Sequence, residues 1–219
     1  ESLKDLAAAT ARRVKIDVIP NGVDTGEFFP GTVRSAASNI LVVARLVPRK
    51  DVETAIRAFA RVHALSQSVR LTIVGDGPQA PSLQALAANL SVSPYVDFRL
   101  SVPREKMGDI YRSADVFMMT SMREGMSNTV LEALASGLPI VASPQALSGI
   151  NSPGARVVDP GDVTGAAEAL AAFLSDASLR TAAARESRAA AMALSWRSAA
   201  TQYFELYRSV VAARARRPR

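Results

Sequence analysis

From Asn39 to Ala142, short apolar runs alternate with segments whose apolar residues recur three and four positions apart. No other feature restricts the fold as much, because each run has the length of a buried strand and each spaced segment the pattern of an amphipathic helix. Strands are expected at Asn39–Val43, Arg70–Val74, Tyr95–Leu100, Asp115–Met119 and Pro139–Ala142, with helices at Asp51–Leu65, Pro81–Leu90, Arg104–Arg112 and Met126–Ser136. Strands joined through helices in this order imply an α/β fold: a parallel sheet with helices on both faces and right-handed crossovers. In open sheets of this kind ligands bind beyond the carboxyl ends of the strands.

That rule selects loops. The richest is REGMSNTVLEALASGLPIVAS, residues 123–143. Val130, Leu131, Leu134 and Ala135 share one helical face, and Gly137 suits the left-handed position that ends a helix before the apolar strand. Ser127, Asn128 and Thr129 crowd the helix start, where the first N–H groups have no partner in the helix. With Gly125 and Met126 just ahead of them, that start can present free N–H groups and a positive dipole end to an anion such as phosphate. Glu124 lies before the helix and Glu132 within it, seven residues between them, so they do not stack on one face. Two separated carboxylates suit two hydroxyl-bearing parts of one ligand. The structural alternative is equally open at this point: Thr129 and Glu132 also fit a capping box, and an acid near a helix start is favourable in itself.

The loop after the first strand, Ala44-Arg45-Leu46-Val47-Pro48-Arg49-Lys50, carries three cations at the same end of the sheet; they can face a diphosphate or simply be solvated. Gly75-Asp76-Gly77-Pro78 is a tight turn that either brings backbone near a ligand or redirects the chain. Later helices are expected at Thr164–Leu174, Ser178–Leu194 and from Ser195-Trp196 through Val211, the last with Trp196, Tyr203, Phe204 and Tyr207 at turn-related positions, a stripe of the kind that usually packs in a core.

Composition removes several chemistries. Without cysteine there are no disulfides or thiolate metal sites, and the single His63, beside Arg61 and Val62, reads as a packing or surface residue. No acidic cluster suggests a metal. The absence of a long apolar run or a signal-like start gives the expectation of a cytoplasmic chain. The net charge of +6 is partly local to the tail RARRPR. With little aromatic interleaving, that tail suits anionic headgroups at the inner face of a membrane, as a peripheral contact, better than nucleic acid. Residues 1–13 read as helical and Val14 to Ile19 as extended, a tail end of some preceding region, and residues 30–38 read as a linker. The expected organisation is therefore 1–38 as tail and linker, 39–194 as the α/β domain, and 195–219 as a final helix with its basic tail.

The segments NGVDTGEFFP, VVARLVPRKDVETAIRAFA, LTIVGDGP and VPREKMGDIYRSADVFMMTSMREGMSNTVLEALASGLPIVAS, in that order, resemble the C-terminal, donor-binding half of the retaining glycosyltransferases called GT4, of GT-B architecture. The likeness runs from about residue 14 to 143 and continues less clearly through DPGD to the end. It implies a Rossmann-like domain that binds a nucleotide-diphosphate sugar, UDP- or GDP-linked, as donor substrate, with no cofactor or metal. By the same likeness Arg45 and Lys50 match the basic pair on the diphosphate, Glu124 the acid near the sugar hydroxyls, and Glu132 the acid on the ribose. Backbone around Ser127, Asn128 and Thr129 would hold phosphate; Gly75, Arg99, Leu100 and Val102 would border the nucleotide. Two departures stand out. Met126 occupies a place where an aromatic residue is common, and Pro144-Gln145-Ala146-Leu147-Ser148-Gly149-Ile150 replaces a longer segment with a glycine pair and an acid. The family's acceptor-binding domain, which the last helix would cross back to, precedes this region, so the chain alone is expected to be inactive in transfer. A nucleotide-sugar epimerase, a non-catalytic nucleotide-sensing module and a purely structural α/β domain remain alternatives.

Overall fold

The computed structural model describes residues 17–32, 36 and 38–215. The helix expected over 1–13, much of the linker and the last arginines lie outside the described residues. Of the extended segment expected at Val14 to Ile19, the described Asp17, Val18 and Ile19 take no regular structure.

The strands are β1 (Asn39–Val43), β2 (Arg70–Val74), β3 (Val96–Arg99), β4 (Val116–Met119), β5 (Ile140–Ala142) and β6 (Arg156–Val157). The helices are α1 (Val52–Leu65), α2 (Ala80–Asn89), α3 (Met107–Arg112), α4 (Asn128–Ala135), α5 (Val163–Ser175), α6 (Ala177–Ala193) and α7 (Trp196–Ala215). All six strands pair in parallel in the order β3-β2-β1-β4-β5-β6. The chain thus winds outward from β1 on one side, returns, and winds outward from β4 on the other, leaving its topological switch point between β1 and β4.

The expected α/β series is present throughout. Apart from Asn39 at the start of β1 and Arg70 at the start of β2, β1, β2, β4 and β5 are wholly buried, as their unbroken apolar runs require, whereas edge strand β3 alternates between half-buried and exposed residues. β6 was not expected: both of its residues are exposed, and only pairing with Val141 and Ala142 defines it. α1 packs against α2 and α5, and α4 against α6. Residue 38 is not a packing boundary, since Val23 and Phe28 belong to the same core as the sheet. His63 is buried, its Nδ1 3.1 Å from Val69 O and its ring 4.0 Å from that of Tyr95, a packing role. The α7 aromatics are not core within the described residues: Trp196, Phe204 and Tyr207 are all more than half exposed.

Both ends of α4 are held. Ser127 is the N-cap, its Oγ accepting from Val130 N at 3.4 Å. At the other end Gly137 (φ +67°) and Leu138 donate to Leu134 O and Ala133 O, the paired bonds of a Schellman motif. Arg188 of α6 then fastens this end, donating to Ala135 O (2.6 Å), Phe28 O (2.9 Å) and Thr25 O (3.1 Å).

The turn after β2 answers the question its glycines raised. Leu46 N donates to Asp76 O and Gln79 N to Leu46 O, so the turn lies on the backbone of the basic loop. A Cβ on Gly75, at φ +133°, would stand 2.0 Å from Ala44 O. Gly75→Ala combines a strained backbone with a clash against another backbone. It should lower unfolding free energy by about 3 kcal/mol or more, read as a reduced urea midpoint at unchanged slope; a loss below about 1 kcal/mol would show that the two loops part easily.

Candidate functional site

The switch point gathers the loop after β1 and the loop after β4. Met122 N donates to Arg49 O at 2.8 Å and Arg49 Nη1 to Arg123 O at 3.3 Å, joining the two backbones. Asp51 reinforces the seam: its carbonyl accepts from Thr120 Oγ1 (2.9 Å) and its Oδ2 from Gly161 N (3.0 Å), so the DPGD turn is tied in as well. Asp51 achieves this at φ +48°, between the 3-10 turn Pro48–Lys50 and α1. An aspartate tolerates that left-handed position better than most residues.

Across this seam Lys50 Nζ makes an ion pair with Glu124 Oε1, both side chains nearly buried. The two residues expected to touch one ligand therefore touch each other. Three residues beyond Glu124, α4 opens with Ser127 as the cap immediately ahead of Asn128 and Thr129, whose N–H groups have no acceptor within the helix. Ser127 Oγ also lies 3.3 Å from Met119 Sδ and 3.2 Å from Thr129 Oγ1. The cap is Ser127 rather than Thr129, so the capping-box reading of Thr129 and Glu132 is corrected: the helix begins two residues later than expected, and Glu132 does not reach back to it. Gly125 is exposed, and a Cβ there would meet nothing within 4 Å, so no protein contact requires glycine at that position.

Glu132 faces another way. Its Oε2 accepts from Tyr111 Oη at 2.8 Å, while Oε1 lies 3.7 Å from Arg104 Nη1, whose Nη2 bonds Glu27 Oε2 at 3.2 Å. Burial pushes the Glu132 carboxyl above its ordinary value of 4.5; the Tyr111 hydrogen bond and Arg104 pull it down, and Glu27 pushes it up. Burial, with Glu132 second, drives the Tyr111 phenol well above its ordinary range, so it stays a donor.

The other expected residues divide. Arg45 follows β1, at the same end of the sheet as Lys50, and is exposed; unlike Lys50, it makes no ion pair with Glu124 among the described residues. Arg99 is turned to Asp97 (2.7 Å), and its carbonyl accepts from Gly75 N (3.0 Å); Leu100 is exposed and Val102 half-buried beyond the same strand end. Met126 Sδ accepts from Asn21 N (3.2 Å), and Asn21 Nδ2 donates to Asn128 Oδ1 (3.3 Å), bringing the NGVD turn against the helix start. Beside Glu124 a cleft of about 640 Å³ is lined by Met122, Arg123, Glu124, Pro144, Gln145 and Ser148, so the divergent segment after β5 borders the seam. Sequence reasoning missed Asn21, Arg104 and Tyr111. Only Tyr111 carried a signal, an aromatic hydroxyl on a helix face that must be buried and so must find a partner. A second hollow, about 560 Å³, lies at the opposite, amino edge of the sheet, by Pro139 and Ala114; Arg180 and Arg188 there donate to backbone carbonyls.

No group of described histidine, cysteine, aspartate or glutamate side chains is arranged to hold a metal, and no described helix is long and apolar enough to cross a membrane.

Solved structures share this architecture. The sucrose-phosphate synthase of Thermosynechococcus elongatus superposes with a TM-score of 0.82 at 24% identity, over 97% of this chain and 57% of that one. The C-terminal domain of a glycosyl transferase group 1 family protein from Francisella tularensis gives 0.71 at 20% identity, over 78% of this chain and 97% of that domain. The class is thus the Rossmann-like half of a GT-B glycosyltransferase fold. The family model described as Glycosyl transferases group 1 matches residues 27–190, and the chain belongs to that family. Among its relatives are the GDP-mannose-dependent alpha-(1-6)-phosphatidylinositol monomannoside mannosyltransferase of Mycolicibacterium smegmatis, 30% identical over 78% of this chain and 50% of its own length. Another is the MMP alpha-(1->4)-mannosyltransferase of Mycolicibacterium hassiacum, 33% identical over 90% of this chain and 49% of its own length. The chain therefore spans about half the length of these relatives.

The raised Glu132 carboxyl has a measurable cost. A folded-state value above the unfolded one means that stability falls as pH rises through it, and the deficit is complete once the pH lies above it. Glu132→Gln keeps an acceptor for Tyr111 without the charge. Its thermal midpoint should match or exceed the wild type at neutral pH, and the advantage should shrink on acidification into the ordinary glutamate range; an advantage that instead grows in acid contradicts this assignment.

Proposed function

We propose that the chain binds a nucleotide-diphosphate sugar across the β1/β4 seam and acts as the donor half of a retaining, metal-independent glycosyltransferase. The observation that carries this reading is the Lys50–Glu124 pair, set at the switch point directly ahead of the α4 amino end. Breaking the bond between the anomeric carbon and the diphosphate oxygen leaves its electron pair on the diphosphate, while the acceptor oxygen bonds to the anomeric carbon and gives up its proton to the departing diphosphate. Preorganised positive groups aimed at that growing charge lower the barrier. Lys50, Arg45 and the free N–H groups at Asn128 and Thr129 supply them without a metal.

Lys50 meets Glu124 across the seam, and a diphosphate offers it more negative charge than one carboxylate does. Binding then draws Lys50 to phosphate and frees Glu124 to accept from sugar hydroxyls. Glu132 takes the ribose hydroxyls, and the chain after β3, at Arg99, Leu100 and Val102, borders the base. The Pro144–Ser148 side of the cleft beside Glu124 is where the sugar would lie. Retention at the anomeric carbon follows the family likeness, and transfer requires an acceptor-binding half as in two-domain GT-B enzymes. A cytoplasmic setting, with the basic tail against a membrane, accompanies this reading.

A panel of UDP-, GDP- and ADP-sugars, followed by thermal stability, tests it. GDP-mannose heads the panel because the Mycolicibacterium smegmatis relative is named as dependent on it. A native-state ligand at about 100-fold over its dissociation constant adds about 2.7 kcal/mol, a rise of about 5–10 °C for a chain of this size. At least one nucleotide should give such a rise, and Lys50→Ala should abolish it. A panel without any response, or a variant that responds like the wild type, sinks the proposal.

A further inference from the structure

Glu132 is held by partners of opposite character. Tyr111, on α3, is fully buried, and its hydroxyl donates to Glu132 Oε2 at 2.8 Å and lies 3.3 Å from Thr129 O. Its ring is fixed by Phe28, edge-on at 5.5 Å between centroids, and by Phe117 at 6.1 Å. The wedged ring holds the hydroxyl oxygen in place between two acceptors, of which Glu132 Oε2 is the nearer. The other oxygen, Oε1, looks outward to Arg104, whose side chain is 69% exposed and shared with Glu27. One oxygen is thus held from inside the protein, and the other faces a largely exposed arginine that a ligand can displace or join.

From this asymmetry we infer that Tyr111 is a positioning residue for the donor's ribose: it locks Glu132 Oε2 so that Oε1 is presented, already oriented, to the ribose hydroxyls. The inference rests on the proposed role of Glu132 toward ribose. A glutamate free to rotate would have to be ordered by each ligand, at a cost that preorganisation removes. Tyr111 also favours the ionised carboxylate, the state that accepts two hydroxyl donors, against the burial that disfavours it.

Tyr111→Phe deletes the hydroxyl and keeps the ring packing. Affinities of the 219-residue chain would be measured by calorimetry for UDP, GDP and ADP, and for the 2′,3′-dideoxy analogue of whichever binds tightest. The variant should bind the intact nucleotide about tenfold more weakly, the scale of one hydrogen bond to a charged group, and the dideoxy analogue with unchanged affinity. In a Glu132→Gln background the same change should have no further effect on the intact nucleotide. The titratable groups facing Glu132 are Tyr111 from α3, Arg104 from the turn before it and Glu27 from the segment ahead of β1. Ribose-dependent affinity should fall as pH drops through the Glu132 carboxyl, and in Tyr111→Phe the fall should begin at higher pH, because one stabilising donor is gone. Unchanged binding of the intact nucleotide, or equal weakening of both ligands, overturns the inference while leaving the nucleotide site standing. Failure of the wild-type chain to bind UDP, GDP or ADP overturns the reading of the site and this inference together.

Discussion

The arrangement depends on β1 and β4 lying side by side, because only there do two loops leave the sheet in opposite directions and open a crevice between them. The crevice is not left to the strands alone. Asp51, in a left-handed conformation, receives Thr120 on its carbonyl and Gly161 on its carboxylate. One residue so joins the loop after β1, the loop after β4 and the turn before α5. The position of Lys50 next to it is therefore inherited from backbone, not from the side-chain ion pair it makes. A ligand can take Lys50 from Glu124 without disturbing the frame that holds it.

The same logic applies to α4, whose amino end must stay aimed at the seam for its N–H groups to matter. A helix of only eight residues has little stability of its own. It is held by the Ser127 cap, by the Schellman turn at Gly137 and by Arg188, which spends three hydrogen bonds on backbone carbonyls of two separate segments. Burial of Val130, Leu131 and Leu134 against the sheet completes the anchoring. The dipole end is consequently a fixed feature of the site before any anion arrives.

Much of this was legible in the sequence because it rests on local signals. Apolar runs of strand length gave β1, β2, β4 and β5, and Gly137 marked the end of α4, since periodicity and turn chemistry act within a few residues. β6 was illegible: its two exposed residues are strand only by pairing with β5. Ser127 and Thr129 were both credible caps, and the choice fell to a tertiary contact, Met119 beneath Ser127. Lys50 and Glu124 were each singled out, but their pairing spans the switch point and has no local trace. The α7 aromatics look like core by spacing yet are exposed, because helical periodicity reports a face and not what covers it. Gly75 and Gly77 were read correctly as a turn, while the reason for glycine, contact with Ala44 and Leu46, belongs to the neighbouring loop.

The two glutamates are tuned for different tasks by the kind of partner each has. Glu124 is paired with a lysine on a flexible stem, a partner that the proposed diphosphate, with its higher charge, would draw away and so free the carboxylate oxygens. Glu132 accepts from a phenol that burial keeps protonated and whose ring is packed against Phe28, so in the proposed reading its orientation is set before a ligand arrives. Burial makes Glu132 costly to ionise, and a fully buried neutral donor offsets part of that cost without cancelling the charge, as a buried cation would. A site needs both kinds. In the proposed reading Glu124, the acid on the sugar side, stays covered until the donor is seated, whereas Glu132, the acid on the ribose, is oriented before the donor arrives.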